Sequence, residues 1–101
     1  MDAIQVITEP HRRELLRLVW DHEQSAGELA GRFDLTFGAV SQHLARLRDA
    51  GFVSVRVAGN HRFYRADQDR LTPYAPMLQA MWAAKLDQLI ANVETGEDKN
   101  A

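Results

Sequence analysis

Residues 35–53 read LTFGAVSQHLARLRDAGFV, and this stretch decides the fold. Apolar side chains recur there at helical spacing, at Val40, Leu44 and Leu47, between an N-capping residue at Thr36 and a glycine stop at Gly51. The stretch therefore predicts a helix with one buried side. Its other side carries serine, glutamine and histidine rather than glutamate and lysine. This choice of exposed residues raises the question of what the helix contacts.

A second, shorter helix is predicted just upstream. Ser25 and Glu28 have the Ser-x-x-Glu spacing of a capping box, which predicts a helix over Ser25–Phe33. Only a tight turn separates it from the helix that starts after Thr36. Two short helices joined in this way form a helix-turn-helix, here over residues 25–50.

The segment after Gly51 predicts a hairpin. FVSVRV and HRFYRA both alternate apolar and polar residues, and AGN between them is a turn signal. The predicted strands are Phe52–Val57 and Arg62–Ala66, which makes residues 52–66 a wing. A helix-turn-helix followed by such a hairpin is a winged helix-turn-helix.

The rest of the chain is predicted to be mostly helical. DAIQVIT is a short apolar turn or helix, and TEPHRRELLRLVWDH predicts a helix with Thr8 or Glu9 near its cap and Pro10 in its first turn. Residues 73–95 predict a long last helix. The predicted fold class is mainly α with a small β-hairpin, with about five helices plus a two-stranded wing in a single domain over residues 1–101.

Composition excludes several classes of protein. The 101 residues are 46% hydrophobic and 26% charged, which is ordinary for a globular domain. They contain no cysteine, so disulfides, thiolate metal sites and a cysteine nucleophile are excluded. No signal peptide and no apolar run of about 20 residues is visible, so we expect a cytoplasmic protein that does not associate with a membrane.

Charge is distributed unevenly along the chain. The net charge is −2, yet residues 36–66 hold five arginines and a single acid, Asp49. Both flanking segments are acidic. A basic middle segment that coincides with the predicted second helix and the wing is a local electrostatic footprint, which favours a nucleic-acid partner over a chance cluster of five arginines.

The exposed side of the second helix has the residues that a DNA-reading helix needs. In a winged helix-turn-helix this helix lies in the major groove and presents mainly its N-terminal half to the bases. Gln42 offers the paired hydrogen bonds that recognise adenine, Phe37 can lie against a thymine methyl group, and Gly38 lets the backbone approach the duplex. Arg46 and Arg48 are placed to reach phosphates.

The wing adds a second set of candidates. An arginine at such a tip enters a minor groove or holds phosphates, and Arg62 is the strongest candidate there. For His43 the sequence leaves two interpretations open, because this side chain either reads a base or packs at the helix edge. The predicted DNA-contacting residues are Thr36, Phe37, Gly38, Ser41, Gln42, His43, Arg46, Arg56, Asn60, His61 and Arg62.

The segment AGELAGRFDLTFGAVSQHLARLRDAGFVSVRVAGNHRFYRAD resembles the ArsR-type winged-helix repressors, dimeric regulators of bacteria and archaea that bind promoter DNA. The resemblance extends upstream to PHRRELLRLV. It implies that residues 41–43 occupy DNA-reading positions and that residues 60–62 form the wing tip. It also implies a homodimer paired through the first and last helices. Phe37–Gly38 is unusual for this family in the first turn of the reading helix.

Many members of this family sense metals, but the residues here favour its metal-independent branch, which the ending MWAAKLDQLIANVE resembles. The cysteines that some members carry near the third helix are missing from GELAGRFDL, and Tyr74–Val93 contains no histidine and a single acid, Asp87. Histidines 11, 22, 43 and 61 have no i, i+4 pairing, whereas a zinc site needs three or four convergent ligands. We expect no metal and no other cofactor, and an unidentified small molecule or protein as inducer.

The last helix carries a broad apolar stripe. Such a stripe can cover its own core on one side and a second copy of the chain on the other. A two-fold dimer would place two reading helices about one DNA turn apart, on an inverted-repeat operator. A purely intramolecular core helix and a pocket for an apolar effector are the other interpretations. The predicted dimer-interface residues are Ile4, Ile7, Met77, Leu78, Met81, Trp82, Leu86, Leu89, Ile90 and Val93.

Taken together, these patterns predict a homodimeric transcriptional repressor that binds operator DNA. The alternatives are a winged-helix module for protein contacts, which the basic segment disfavours, and a regulator that binds an effector near the last helix. An enzyme is rejected. Ser41 and His43 point about 160° apart on a helix and cannot share a proton, so they do not form a catalytic pair.

Overall fold

The computed structural model describes residues 2–84. Its order of elements confirms the predicted fold class, a mainly helical winged helix-turn-helix. Residues 85–95 of the predicted last helix lie outside the described residues, and Leu86, Leu89, Ile90 and Val93 lie there with them. The elements are α1 (Ala3–Thr8), α2 (Pro10–Leu18), β1 (Gln24–Ser25), α3 (Ala26–Ala30), α4 (Phe37–Asp49), β2 (Val53–Ala58), β3 (His61–Ala66), α5 (Gln68–Leu71), a 3₁₀ turn (Thr72–Tyr74) and α6, described over residues 75–84.

Side-chain caps start the helices at the predicted positions. Thr36 Oγ1 accepts a hydrogen bond from the Ala39 N–H at 3.1 Å and starts α4. Ser25 and Glu28 form the reciprocal capping box of α3, at 3.1 and 3.2 Å. Glu9 caps α2. These bonds satisfy backbone N–H groups that have no partner inside the helix.

The hairpin is part of a three-stranded antiparallel sheet in the order β1-β3-β2. The sequence did not predict β1, which is two residues long and pairs Gln24 with Tyr64. A two-residue turn, Gly59–Asn60, joins β2 to β3, and Gly59 has a φ of 60°. Glycine adopts this conformation without the strain that a side chain would bring, which suits the first position of a type II′ turn.

The segment before α6 differs from the prediction. A single long helix was expected to start at residue 73, but helical structure begins at α5, where the Asp67 side chain accepts a hydrogen bond from the Arg70 N–H at 3.1 Å. The chain then passes through the 3₁₀ turn, which contains Pro73, before α6 begins. Proline has no N–H to donate, so it interrupts the regular hydrogen bonding of a continuous helix.

The core lies between the helices and the inner face of the sheet. The three apolar positions of α4 are at most 2% exposed, which confirms the predicted buried side. No helix within residues 2–84 is long and apolar enough to cross a bilayer. The buried apolar residues are Val6, Ile7, Leu15, Leu16, Val19, Leu29, Val40, Leu44, Leu47, Phe52, Val53, Tyr64, Ala66, Leu71 and Leu78.

The structure corrects part of the predicted dimer interface. Ile7 and Leu78 are 0% exposed, so they belong to the core of one protomer and cannot contact a second copy in this conformation. Trp82 also packs within the protomer, because its Nε1–H donates to the Arg13 carbonyl at 3.2 Å and its ring meets the Trp20 ring edge-on. Ile4 is 53% exposed. Met77 and Met81 are half-buried.

Candidate nucleic-acid interface

A cleft of about 350 Å³ separates α4 from the wing. On the helix side Phe37, Ser41 and Arg48 face it, since they lie on one flank of α4 next to the buried stripe. On the wing side Asn60 and Arg62 face it. The cleft therefore brings together four of the predicted DNA-contacting side chains, together with Arg48. The four are Phe37, Ser41, Asn60 and Arg62. The cleft is completed by Ala26, Ala45 and Tyr64.

The wing has two faces with different surroundings. Successive strand residues point to opposite sides of a sheet, so the register of β2 with β3 divides the wing cleanly. The inner face, toward α4, carries Val55 opposite Tyr64 and Val57 opposite Arg62. The outer face carries Ser54, Arg56, Ala58, His61, Phe63 and Arg65. Of the predicted wing cations, the structure brings only Arg62 to the cleft.

Arg56 is engaged on the outer face. Its Nε lies 3.2 Å from both carboxylate oxygens of Glu23, and its guanidinium lies 4.5 Å from the centre of the Phe63 ring. This hydrogen bonding lowers the pKa of Glu23 below its ordinary value. His61 shares this outer face and contacts the Phe63 ring. The structure thus separates Arg56 and His61 from the side chains that line the cleft.

The outermost side of α4 carries Gly38 and Gln42, both exposed. A Cβ added at Gly38 would meet no atom within 4 Å, so no neighbour in the protomer requires a glycine there. Thr36 is exposed, but its hydroxyl already serves as the helix cap. Arg46 is on the opposite flank from the cleft, beside Val6 of α1.

His43 also lies on that opposite flank, and its ring contacts the protein. Its Nδ1 is 3.1 Å from Nη1 of Arg12 and 3.7 Å from Oε2 of Glu9, and its ring stacks on that of His11 at 5.4 Å. Burial lowers the pKa of His43 below 6.5, the nearby cations lower it further, and Glu9 partly opposes them. Of the two interpretations of His43, the structure favours packing.

Glu9, His11 and His43 converge as possible metal ligands. One ligand atom from each lies within 4.8 Å of the other two, although the histidines lack i, i+4 spacing. Histidines without i, i+4 spacing therefore still converge in the fold. Burial alone would raise the pKa of Glu9, but hydrogen bonds from the Arg12 N–H and from His11 hold it below its ordinary value.

The side chains of this cluster already make hydrogen bonds within the protein. Oε2 of Glu9 accepts the Arg12 N–H at 2.8 Å, and Oε1 bonds Nδ1 of His11 at 2.8 Å. The guanidinium of Arg12 contacts His43 directly. A divalent cation would have to replace these hydrogen bonds and lie next to a positive charge, which is unfavourable at such distances.

Sequence reasoning missed Arg12 and Tyr64. Arg12 is 5% exposed, and an arginine near a helix start gives no sequence signal of burial. Tyr64 is 6% exposed and belongs to the core, and it also lines the cleft, as its alternation with Arg62 along β3 could have indicated.

Comparison with known proteins identifies the family. The family profile described as bacterial regulatory protein, arsR family, matches residues 9–55. The transcriptional activator HlyU of Vibrio cholerae is 30% identical over 79 residues, covering 78% of this chain and 73% of HlyU. The chain belongs to the ArsR family. A second ArsR-family relative, the biofilm growth-associated repressor of Agrobacterium fabrum, is 30% identical over 86 residues, covering 85% of this chain and 74% of that protein.

Solved structures agree with this ArsR-family assignment. A possible transcriptional regulator for arsenical resistance is 37% identical with a TM-score of 0.70, covering 91% of this chain and 96% of that chain. The structure of HlyU from Vibrio cholerae has a TM-score of 0.71, covering 79% of this chain and 87% of that chain. These relatives are regulators of transcription. The ArsR-family protein is therefore a DNA-binding transcriptional regulator.

Proposed function

We propose that the protein is a homodimeric repressor that binds an inverted-repeat operator through α4 and the wing, without a metal ion. The cleft between these two elements is the observation that supports DNA contact. There Arg48 and Arg62 line opposite walls together with Ser41 and Asn60, in the most basic part of the chain. Such a surface fits a duplex, whose phosphates attract the arginines while its base edges offer hydrogen bonds.

The proposed roles follow from where each side chain lies. Gln42 and Ser41 read base edges from the exposed face of α4, and Gly38 lets the helix backbone approach the groove closely. Arg48 and Arg62 bind phosphates from the two sides of the cleft. Asn60, which also lines the cleft, contacts the DNA backbone from the wing tip. Thr36, beyond its capping role, lies at the end of α4 that enters the groove.

Pairing of two copies through α1 and α6 is supported by the apolar groups that remain exposed there. Ile4 of α1 is 53% exposed, and Met77 and Met81 of α6 are only half-buried. A two-fold dimer would place its two reading helices about 34 Å apart, one turn of B-DNA. The operator would then have half-sites about 10–11 bp apart from centre to centre.

Independence from metal is supported by the hydrogen bonds that already occupy Glu9, His11 and His43. Catalysis is disfavoured because Ser41 faces the cleft while His43 faces Arg12. The proposed place of action is the cytoplasm, where bacterial promoter DNA lies. Repression rather than activation is proposed because a dimer bound across a promoter blocks access to it.

The deciding experiment selects DNA from a random duplex pool with the purified protein. The selected duplex and a scrambled one are then compared by fluorescence anisotropy at two salt concentrations, with added zinc and with a chelator. We expect an inverted repeat, a strong preference for the selected duplex, weaker binding at high salt and no effect of zinc. Sedimentation of the complex gives the stoichiometry, and transcription in vitro from a promoter containing the repeat gives the sign of regulation.

Other outcomes separate the alternatives. Equal, weak binding to both duplexes would favour a protein-contact module, and two- to three-fold or greater changes on adding zinc would refute metal independence. An effector pocket at the last helix is not favoured by Trp82, whose ring and N–H are already used within the protomer. Increased transcription in the reconstituted assay would show that the protein activates transcription rather than repressing it.

A further inference from the structure

We propose that Phe37 is a specificity-determining residue that reads the 5-methyl group of a pyrimidine in the major groove. Thymine, or 5-methylcytosine in its place, is then preferred over an unmethylated pyrimidine at one position of each half-site. This inference rests on the proposed function and adds a chemical identity to one part of the operator.

The first observation is the exposure of Phe37. Large apolar side chains that are exposed within residues 2–84 are Ile4, Phe37 and Val57, at 53%, 58% and 66%. Ile4 is on α1, but Phe37 lines the cleft from α4, and Val57 lies on the inner face of the wing with Arg62. Phe37 therefore lies in the arginine-lined cleft itself, and Val57 lies on the wing face that carries Arg62.

The second observation is the charge around them. Arg62 and Arg48, which also contacts Asp49, line the same cleft as Phe37, so the cleft suits an occupant that carries both negative charge and a small apolar group. Duplex DNA has this combination. In its major groove the phosphates flank the base edges, and the 5-methyl group of thymine is the apolar feature that those edges present.

The third observation is the position of Phe37 in α4. Phe37 is the first residue of the helix and lies one turn before Ser41. Its neighbour Gly38 borders open space. The N-terminal residues of a reading helix are those that approach the base edges. A phenyl ring there has no hydrogen bond to offer a base, whereas it packs well against a methyl group.

The experiment uses the duplex that the wild-type protein selects. Each thymidine of a half-site is replaced in turn by deoxyuridine, which removes only the methyl group. At one position we expect binding about fourfold weaker, which corresponds to ~0.8 kcal/mol for one buried methyl-sized group. At that position a cytosine is then compared with 5-methylcytosine, and the methyl group should again strengthen binding about fourfold.

Variants assign the effect to its residue. Phe37→Ala, at an exposed helical position, should fold normally and should bind thymidine and deoxyuridine duplexes equally. Val57→Ala is the matched control, since it removes the exposed apolar side chain of the wing's inner face and should retain the fourfold methyl effect. Circular dichroism checks that both variants are folded.

The outcomes distinguish this inference from the proposed function. A methyl effect that is lost in Phe37→Ala and kept in Val57→Ala supports the assignment to Phe37. A methyl effect that persists in Phe37→Ala, or no methyl effect at any position of a duplex that the protein prefers, overturns the inference and leaves the proposed function intact. Absence of any sequence preference overturns both.

Discussion

Nη1 of Arg12 lies 3.1 Å from Nδ1 of His43, and this contact joins α2 to α4. The same guanidinium donates from Nε to the Val6 carbonyl at 2.6 Å and from Nη2 to the Gln5 carbonyl at 3.3 Å. One side chain, 5% exposed, therefore ties the C-terminal end of α1 and the proposed reading helix to α2. Because Arg12 can only donate, Nδ1 of His43 accepts in this contact.

Replacing Arg12 by methionine should destabilise the protein strongly. The carbonyls of Gln5 and Val6 would lose their charged donor in a buried setting, so we expect the free energy of unfolding to fall by about 2–4 kcal/mol. Urea denaturation measures the change. Arg17→Met is the control on the same helix, because Arg17 is exposed and its pairing with Glu14 should contribute less than ~1 kcal/mol. An equal fall in the free energy of unfolding for the two variants would show that the burial of Arg12 contributes no additional stability.

Acidification should destabilise the protein partly through His43. Its pKa is below 6.5 in the folded state, so the unfolded chain binds the proton first as the pH falls. The stability contributed by neutral His43 is therefore complete above about pH 6.5 and decreases as the pH falls through the folded-state pKa. The pKa of Glu9 is also lowered, so ionised Glu9 loses its contribution to stability only as the pH falls below the ordinary pKa of 4.5.

Urea denaturation between pH 7.5 and pH 5 tests this dependence, with His43→Gln as the comparison. The variant should lose less stability than the wild type over this range, because it lacks the group that titrates. Parallel curves for the two proteins would place the titrating group elsewhere.

The salt dependence of binding should distinguish the two faces of the wing. Arg62→Ala removes a cleft cation, so the slope of log K against log salt should become shallower by about 0.9 if Arg62 binds one phosphate. Arg56→Ala is the matched control from the same hairpin, and its slope should stay unchanged because Arg56 already pairs with Glu23 on the outer face. The reverse pattern would show that DNA contacts the outer face.

Gln42→Ala should reduce specificity more than overall affinity. Loss of a paired hydrogen bond to adenine should weaken binding to the selected duplex by about 1–3 kcal/mol and leave binding to scrambled DNA nearly unchanged. Anisotropy titrations with both duplexes measure the difference. An equal loss of affinity for both duplexes would show that Gln42 does not read a base.

Gly38→Ala should increase stability and weaken operator binding. The position is helical and open, so alanine should raise the free energy of unfolding by about 0.5–1 kcal/mol. A methyl group there would separate α4 from a closely approaching duplex. Gly27→Ala is the matched control, since Gly27 is also the second residue of its helix and also open, and it should stabilise the protein without weakening operator binding. Undiminished operator binding by Gly38→Ala would exclude close backbone approach.

Local sequence signals predicted the helix-turn-helix and the wing well, because these elements carry their own capping, periodicity and turn residues. Thr36, Ser25 and Gly51 mark boundaries through hydrogen bonds or backbone conformation within a few residues. Two-residue β1 escaped notice because its pairing with Tyr64 depends on a distant strand. No periodicity can reveal so short an element.

The sequence predicted which residues belong to the candidate site, but it did not predict which face of the wing or of α4 carries each of them. The sequence grouped all wing cations together, whereas strand register places Arg56 and Arg62 on opposite faces. His43 stood beside Gln42 in the sequence, yet helical geometry turns its ring toward Arg12. Which neighbour a side chain meets depends on tertiary packing, and local pattern does not contain that information.

The alternation of faces along the wing also limits how its length can change. One residue added between Arg62 and Tyr64 would turn Arg62 to the side of Glu23 while Tyr64 kept its place in the core. Two added residues would restore the arginine to the cleft and lengthen its reach along the duplex. Viable insertions and deletions in this hairpin should therefore come in pairs of residues, and an even count is as important for the proposed DNA contact as the residues at the wing tip.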